Sequence, residues 1–226
     1  MPTVLITGAS RGIGLELARQ YVAEGCRVLG TCRKPGEASA LKAIKGVSVV
    51  ALDVADLKSI DAAARVLAGE AIDILFNNAG IYGPRGKAFG SLDYEAWVEV
   101  LRVNALGPIA VAERFMPHLE RGAKKIVVAV TSQMGSVGRN EAGAEYVYRS
   151  SKSALNMAMK CMANELAPKG VTAIMFHPGH VKTDMGGAAA PTTVEDSASG
   201  MRVVVARLKP ADTGKFYNFD GAEIPW

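Results

Sequence analysis

Short apolar runs alternate along the chain with stretches whose apolar positions recur at helical period. The runs fall at residues 4–6, 27–31, 47–52, 72–76, 125–131, 171–176 and 216–219, and they read as strands. A turn cluster and then a helix-period stretch follow each of the first four. Regular β–α alternation predicts an α/β fold, a Rossmann-type, doubly wound parallel sheet of about seven strands with helices on both faces. One domain spanning residues 1–226 accounts for the whole pattern. Two longer helical stretches, at roughly 92–118 and 145–167, are apolar on more than one stripe. Residues 186–199, rich in Gly, Ala, Pro, Ser and Thr, read as a mobile loop or short lid.

Ligands of such sheets bind beyond the carboxyl ends of the strands, and the polar clusters of this chain fall there. They are Thr7–Gly14, Thr31-Cys32-Arg33, Asp53-Val54, Asn77–Gly80, Thr131-Ser132 and His177-Pro178-Gly179. The first of them, Thr7-Gly8-Ala9-Ser10-Arg11-Gly12-Ile13-Gly14, joins an apolar strand to an amphipathic helix near 12–23. Glycines there let the backbone turn tightly and approach a pyrophosphate, while the helix aims its first amides and the positive end of its dipole at the phosphates. The turn thus predicts a bound dinucleotide.

Composition narrows the picture only a little. At 49% hydrophobic and 21% charged residues the chain is a folded globular protein, and its net charge of +4 is mildly basic. Its Lys and Arg are scattered among acids, unlike the clustered cations of a nucleic-acid binder, so no nucleic-acid partner is expected. No apolar run approaches membrane-spanning length, and the N-terminus runs straight into the first strand without a charged leader. Cys26, Cys32 and Cys161 have no CxxC or metal-type spacing to His118, His177 or His180. No metal, no membrane and a reducing, cytoplasmic compartment are the expectation.

Tyr148 and Lys152 are spaced i and i+4 on a predicted helix, which puts both side chains on one face. An ammonium close to a phenol favours the phenolate and brings its pKa toward the working range of an acid or base. Tyr146 competes for that role, but four residues on from it stands Ser150, which carries no charge. Alone, such a pair would be an ordinary surface feature. Here it accompanies Gly8, Gly12 and Gly14, Asp53-Val54, Asn77–Gly80, Asn104, Ser132 and Pro178-Gly179 with Thr183. In this order the set resembles the short-chain dehydrogenases/reductases over nearly the whole chain. The ending Asn218-Phe219-Asp220-Gly221 through Trp226 is similar to their sniffer/C-factor type of carbonyl reductase.

The resemblance implies catalytic roles for Ser132, Tyr148, Lys152 and Asn104. Ser132 would hold a substrate carbonyl, and Asn104 would kink its helix and support a proton path from Lys152. The separation of Ser132 and Tyr148 is longer than usual in that family, so residues around 138–143 must loop out. The resemblance also implies coenzyme contacts at Gly8, Ser10, Arg11, Gly12, Ile13 and Gly14, at Asp53 and Val54 beside the adenine, and at Asn78, Ala79 and Gly80 beside a ribose. Tyr148 and Lys152 would meet the nicotinamide ribose, and Pro178, Gly179, Val181 and Thr183 the carboxamide. His177 and His180 receive no role. The second strand ends Thr31-Cys32-Arg33-Lys34 with no acid before Glu37, so a 2′-hydroxyl has no carboxylate to bind. Arg33 and Arg11 could instead grip a 2′-phosphate, which favours NADP(H) over NAD(H).

The function expected is hydride transfer between NADP(H) and a small carbonyl or alcohol, with Tyr148 as acid and base. Two alternatives use the same fold: a non-catalytic NADP(H)-binding redox sensor, and an isomerase or dehydratase without net oxidation. Loops 82–93 and 134–147 and the substrate loop 184–199 would line the pocket, with Tyr82, Phe89, Met134, Val137 and Met185 making it modestly apolar. Such helices as 92–118 and 145–167 build oligomer interfaces in the family, so a homodimer or homotetramer is expected.

Overall fold

The strands and helices fall close to where the apolar pattern puts them. The structure is a computed structural model that describes residues 1–226. Strands β1 (Thr3–Ile6), β2 (Arg27–Cys32), β3 (Val47–Ala51), β4 (Ile74–Asn77), β5 (Ile126–Val130), β6 (Thr172–His177) and β7 (Phe216–Asn218) form one sheet in the order β3-β2-β1-β4-β5-β6-β7. All six neighbouring pairs are parallel. Helices α1 (Gly12–Ala23), α2 (Ser39–Lys42), α3 (Leu57–Val66), α4 (Tyr94–Leu101), α5 (Gly107–Arg121), α6 (Tyr146–Leu166) and α7 (Val194–Arg207) supply the crossovers.

Alternate residues of each strand serve opposite faces. Val4, Ile6, Phe76 and Val128 pack with Leu17 of α1 and Met201 of α7 in one core. Leu5, Leu75 and Val127 pack with Phe115 of α5 and Leu155 of α6 in the other. Because both faces are covered, the central strands are apolar at nearly every position, and β5 is apolar and buried along its whole length. The chain runs outward from β1 to β3 and then returns to pair β4 with β1, so the order reverses between β1 and β4. A crevice opens at such a reversal beyond the strand ends. No helix is long and apolar enough to cross a membrane.

The kink expected at Asn104 is present, and one other expectation needs correcting. The helical stretch at 92–118 is broken: α4 passes through a π turn, Arg102–Leu106, before α5 begins at Gly107. Its cause is local, since Asn104 is fully buried and spends its amide on the backbone of Ile81. The composition of residues 186–199 does not extend as loop to its end. Thr193 caps α7 by accepting from the Asp196 amide, and residues from Val194 onward are helical.

Candidate active site

The glycine turn closes the crevice at the reversal point. Gly8 has a φ of +66°, and a Cβ on it would stand 2.9 Å from the Ala79 Cα. A Cβ on Gly14 would stand 2.6 Å from the side-chain nitrogen of Asn78. Only glycine allows this contact between the turn and the end of β4. The contact is riveted by hydrogen bonds: Asn78 Nδ2 donates to the Thr7 carbonyl at 2.9 Å, and Thr7 Oγ1 accepts from the Asn78 and Ala79 amides at 3.0 and 3.1 Å. Asn78 thus braces the turn. Helix α1 begins with no side-chain cap and no acid in its first turn, which leaves its first amides and positive dipole end for an anion.

A cleft of about 560 Å³ runs from this turn across the sheet's carboxyl end. Gly8, Ser10, Arg11, Gly12, Ile13, Arg33, Asp53, Val54, Asn78, Ala79, Gly80, Tyr148, Lys152, Pro178 and Thr183 all line it. Gly14, Asn104, Ser132, Gly179 and Val181 do not line it. At the outer end Arg11 and Arg33 are exposed, and Arg11 Nη1 pairs with Asp184 Oδ2 at 2.9 Å. Asp53 folds its carboxylate back onto the Ala55 amide at 2.9 Å. Beyond β6, Gly179 takes a φ of +87°, Val181 is buried, and Thr183 Oγ1 accepts from the Gly186 amide at 3.1 Å, giving a compact strap over the cleft.

At the inner end three buried side chains converge. Ser132 lies two residues beyond β5, and its hydroxyl accepts from the Met134 amide at 3.1 Å. The turn that follows is pressed onto α6, since a Cβ on Gly135 would lie 2.8 Å from the Lys152 Cβ. Lys152 Nζ donates to the Val130 carbonyl at 3.0 Å and stands 5.7 Å from the centre of the Tyr148 ring. Burial pushes the Lys152 ammonium down to about 8. Burial also pushes the Tyr148 phenol up to about 12, with the Ser132 hydroxyl and then Arg85 opposing and Tyr82 adding to the rise. The spacing of Tyr148 and Lys152 predicts a lowered phenol; in the folded chain burial dominates and raises it, and the same burial lowers Lys152. Asn104 Oδ1 accepts from the Ile81 amide at 2.9 Å, and its Nδ2 donates to the Ile81 carbonyl at 2.8 Å and to Ser151 Oγ at 3.0 Å.

The residues between Ser132 and Tyr148 do loop out. Ala144 and Glu145 adopt left-handed φ values of 54° and 51° directly before α6, and Ser136 Oγ donates to the Pro225 carbonyl at 2.7 Å. Of the apolar residues expected around the pocket, Met185 lines the cleft and Tyr82 packs on Tyr148. Phe89 and Val137 are 85% and 75% exposed and line no wall. Tyr146 instead packs on Phe89, with ring centres 6.3 Å apart. His180 holds the strap through the Gly186 carbonyl at 2.8 Å, and burial pushes His177 down to about 4. Sequence reasoning missed Arg85, Glu145 and Asp184, which lie on loops and carry no spacing signal.

A glycine turn with α1 at its back, a switch-point cleft, and Ser132, Tyr148 and Lys152 at its inner end form one constellation. The short chain dehydrogenase family model matches residues 2–193. The chain belongs to that family. It is 43% identical over 155 residues to the C-signal protein of Myxococcus xanthus, an alignment covering 69% of this chain and 93% of that protein. Its fold is similar to that of the carbonyl reductase Sniffer of D. melanogaster, with a TM-score of 0.94 and 30% identity over the whole of both chains. A carbonyl reductase from chicken fatty liver, solved with NADPH bound, gives a TM-score of 0.91 at 32% identity, over 100% of this chain and 99% of that one. Family membership makes the protein an oxidoreductase of the Rossmann-like α/β class.

Proposed function

We propose that the protein is an NADP(H)-dependent reductase of aldehydes or ketones, with Tyr148 as its proton donor. The observation that carries this reading is that Tyr148 and Lys152 line the inner end of a cleft whose outer end holds Arg11 and Arg33, with the Ser132 hydroxyl beside the Tyr148 phenol. The residues fit the coenzyme: α1 starts behind the glycine turn with no side-chain cap and no acid in its first turn, and no carboxylate ends β2 to claim a 2′-hydroxyl. The NADPH bound in the chicken enzyme supports the same choice.

Bound NADP(H) would supply the hydride. The Ser132 hydroxyl would donate to the substrate carbonyl oxygen and orient it. Tyr148, held protonated by burial, would pass its proton to that oxygen as negative charge develops. Lys152, anchored on the Val130 carbonyl, would hold the adjacent ribose hydroxyls and replenish the phenol's proton. Asn104 would fix the Gly80–Ile81 wall beside Lys152, where a Cβ on Gly80 would meet Asn104 Oδ1 at 3.2 Å and Lys152 Nζ at 3.6 Å.

The test mixes pure protein with NADPH and a panel of aldehydes, quinones, diketones and steroids, following coenzyme oxidation. Turnover that disappears in Tyr148→Phe supports the reading. The identity to C-signal keeps a second one: a coenzyme-binding reporter without turnover. Tight NADPH binding with no turnover on any carbonyl, and no effect of Tyr148→Phe, would select that alternative. A cytoplasmic location and a homodimer or homotetramer go with the main reading.

A further inference from the structure

The aromatic ring of Tyr82, two residues beyond Gly80, lies flat on that of Tyr148. Their centres are 4.3 Å apart and their planes differ by 13°. The Arg85 guanidinium sits 4.0 Å from the centre of the same Tyr82 ring. Two groups about 4 Å above one ring cannot share a face, so Tyr82 is sandwiched between Tyr148 and Arg85. Arg85 in turn donates to the Met185 carbonyl, on the strap at the far side of the cleft. The Tyr82 hydroxyl stands 3.9 Å from Met134 Sδ, and Glu145 accepts from the Gly86 amide at 3.4 Å to tie the two loops together.

Tyr148 needs such a support. It lies in the first turn of α6, directly after two left-handed residues, where the helix offers no preceding turn to hold the ring. We propose that Tyr82 is a positioning residue for Tyr148: its ring face fixes the direction of the phenol and shields it from water. This inference rests on the reading of Tyr148 as the proton donor. The groups facing the Tyr148 phenol are the Ser132 hydroxyl from just beyond β5, Tyr82 and Arg85 from the loop after β4, and Lys152 from its own helix. Those facing Tyr82 are Glu145, Arg85 and Arg149. Burial is the largest influence on Tyr148 and raises it, so uncovering the ring lowers it, although Arg85, which opposes the rise, loses its platform at the same time.

Tyr82→Ala and Tyr82→Phe test the proposal by turnover and by NMR titration of isotope-labelled tyrosine, the Tyr148 signal being assigned with Tyr148→Phe. Tyr82→Ala should lower kcat by about tenfold or more, leave the coenzyme KM unchanged, and move the Tyr148 titration down toward the ordinary phenol value of about 10. Tyr82→Phe keeps the ring and should restore both. Tyr82→Leu fills similar volume without an aromatic face and carries the same expectations should the alanine variant fail to fold. A Tyr82→Ala protein that changes only the substrate KM, with kcat and the Tyr148 titration as in the parent, overturns the proposal; so does Tyr82→Phe as impaired as Tyr82→Ala. Full turnover by Tyr148→Phe would sink the functional reading instead, and the NMR titration would still report on the stack.

Discussion

At the residue scale the site is governed by burial. Lys152 holds its amine in a fully desolvated place, with a folded-state pKa of about 8 against an ordinary value of 10.5. Between those values the unfolded chain binds more protons, so this group makes stability rise with pH through that window and withholds stability below it. Lys152→Met should therefore melt a few degrees higher than the parent at neutral pH, with the gap closing toward about pH 10, while turnover is lost. Scanning calorimetry at several pH values reads it; a gap that widens with pH would contradict the sign. For Tyr148 the direction is opposite, the phenol being held near 12. Reduction, which uses the phenol, should hold level through neutral and mildly alkaline pH, whereas alcohol oxidation, which needs the phenolate, should climb steadily with pH. Initial rates in both directions check this, and an oxidation rate that falls above neutrality would count against Tyr148 as the base.

At the element scale the decisive feature is the π turn between α4 and α5. Asn104 clamps both backbone groups of Ile81 from inside it, at 2.9 and 2.8 Å. Asn104→Ala strands a buried donor and a buried acceptor, and each such loss costs about 1–3 kcal/mol. Urea unfolding should show a drop of about 2–6 kcal/mol, and turnover should fall as the wall beside Lys152 loosens; an unchanged unfolding midpoint would refute the clamp. The helix pattern around 92–118 was plain in the sequence. Its kink at Asn104 was expected from the family resemblance and not from the pattern, because a π turn has no periodicity of its own and depends on which backbone groups Asn104 reaches.

At the scale of the whole molecule, the sheet order places Arg11 and Arg33 together although they end different units of the chain. Arg11→Ala with Arg33→Asp should weaken NADPH binding far more than NADH binding, and fluorescence titration with each coenzyme measures the difference. Equal weakening would mean that neither guanidinium meets the 2′-phosphate. Arg11 also pairs with Asp184, but both side chains are mostly exposed, so Asp184→Ala should leave the melting temperature nearly unchanged. The outer surfaces of α4 and α6 and the π turn leave Val98, Met157 and Leu106 more than half exposed, at 51%, 67% and 66%. Light scattering should return a dimer or tetramer, and a monomer would count against that expectation.

The sequence by itself determined the strand and helix succession, the glycine turn, and the residue types at each strand end, because these depend on local periodicity and on backbone freedom at single positions. The i, i+4 spacing of Tyr148 and Lys152 put them on one helix face, and the other motifs along the chain singled that pair out. Only the tertiary structure decided how they behave. The rise of the Tyr148 phenol comes from desolvation by the whole surrounding core, and its stacking partner, Tyr82, and the Arg85 above it arrive from a loop far away in sequence. Burial and long-range contact are sums over many residues, and no spacing along the chain records them.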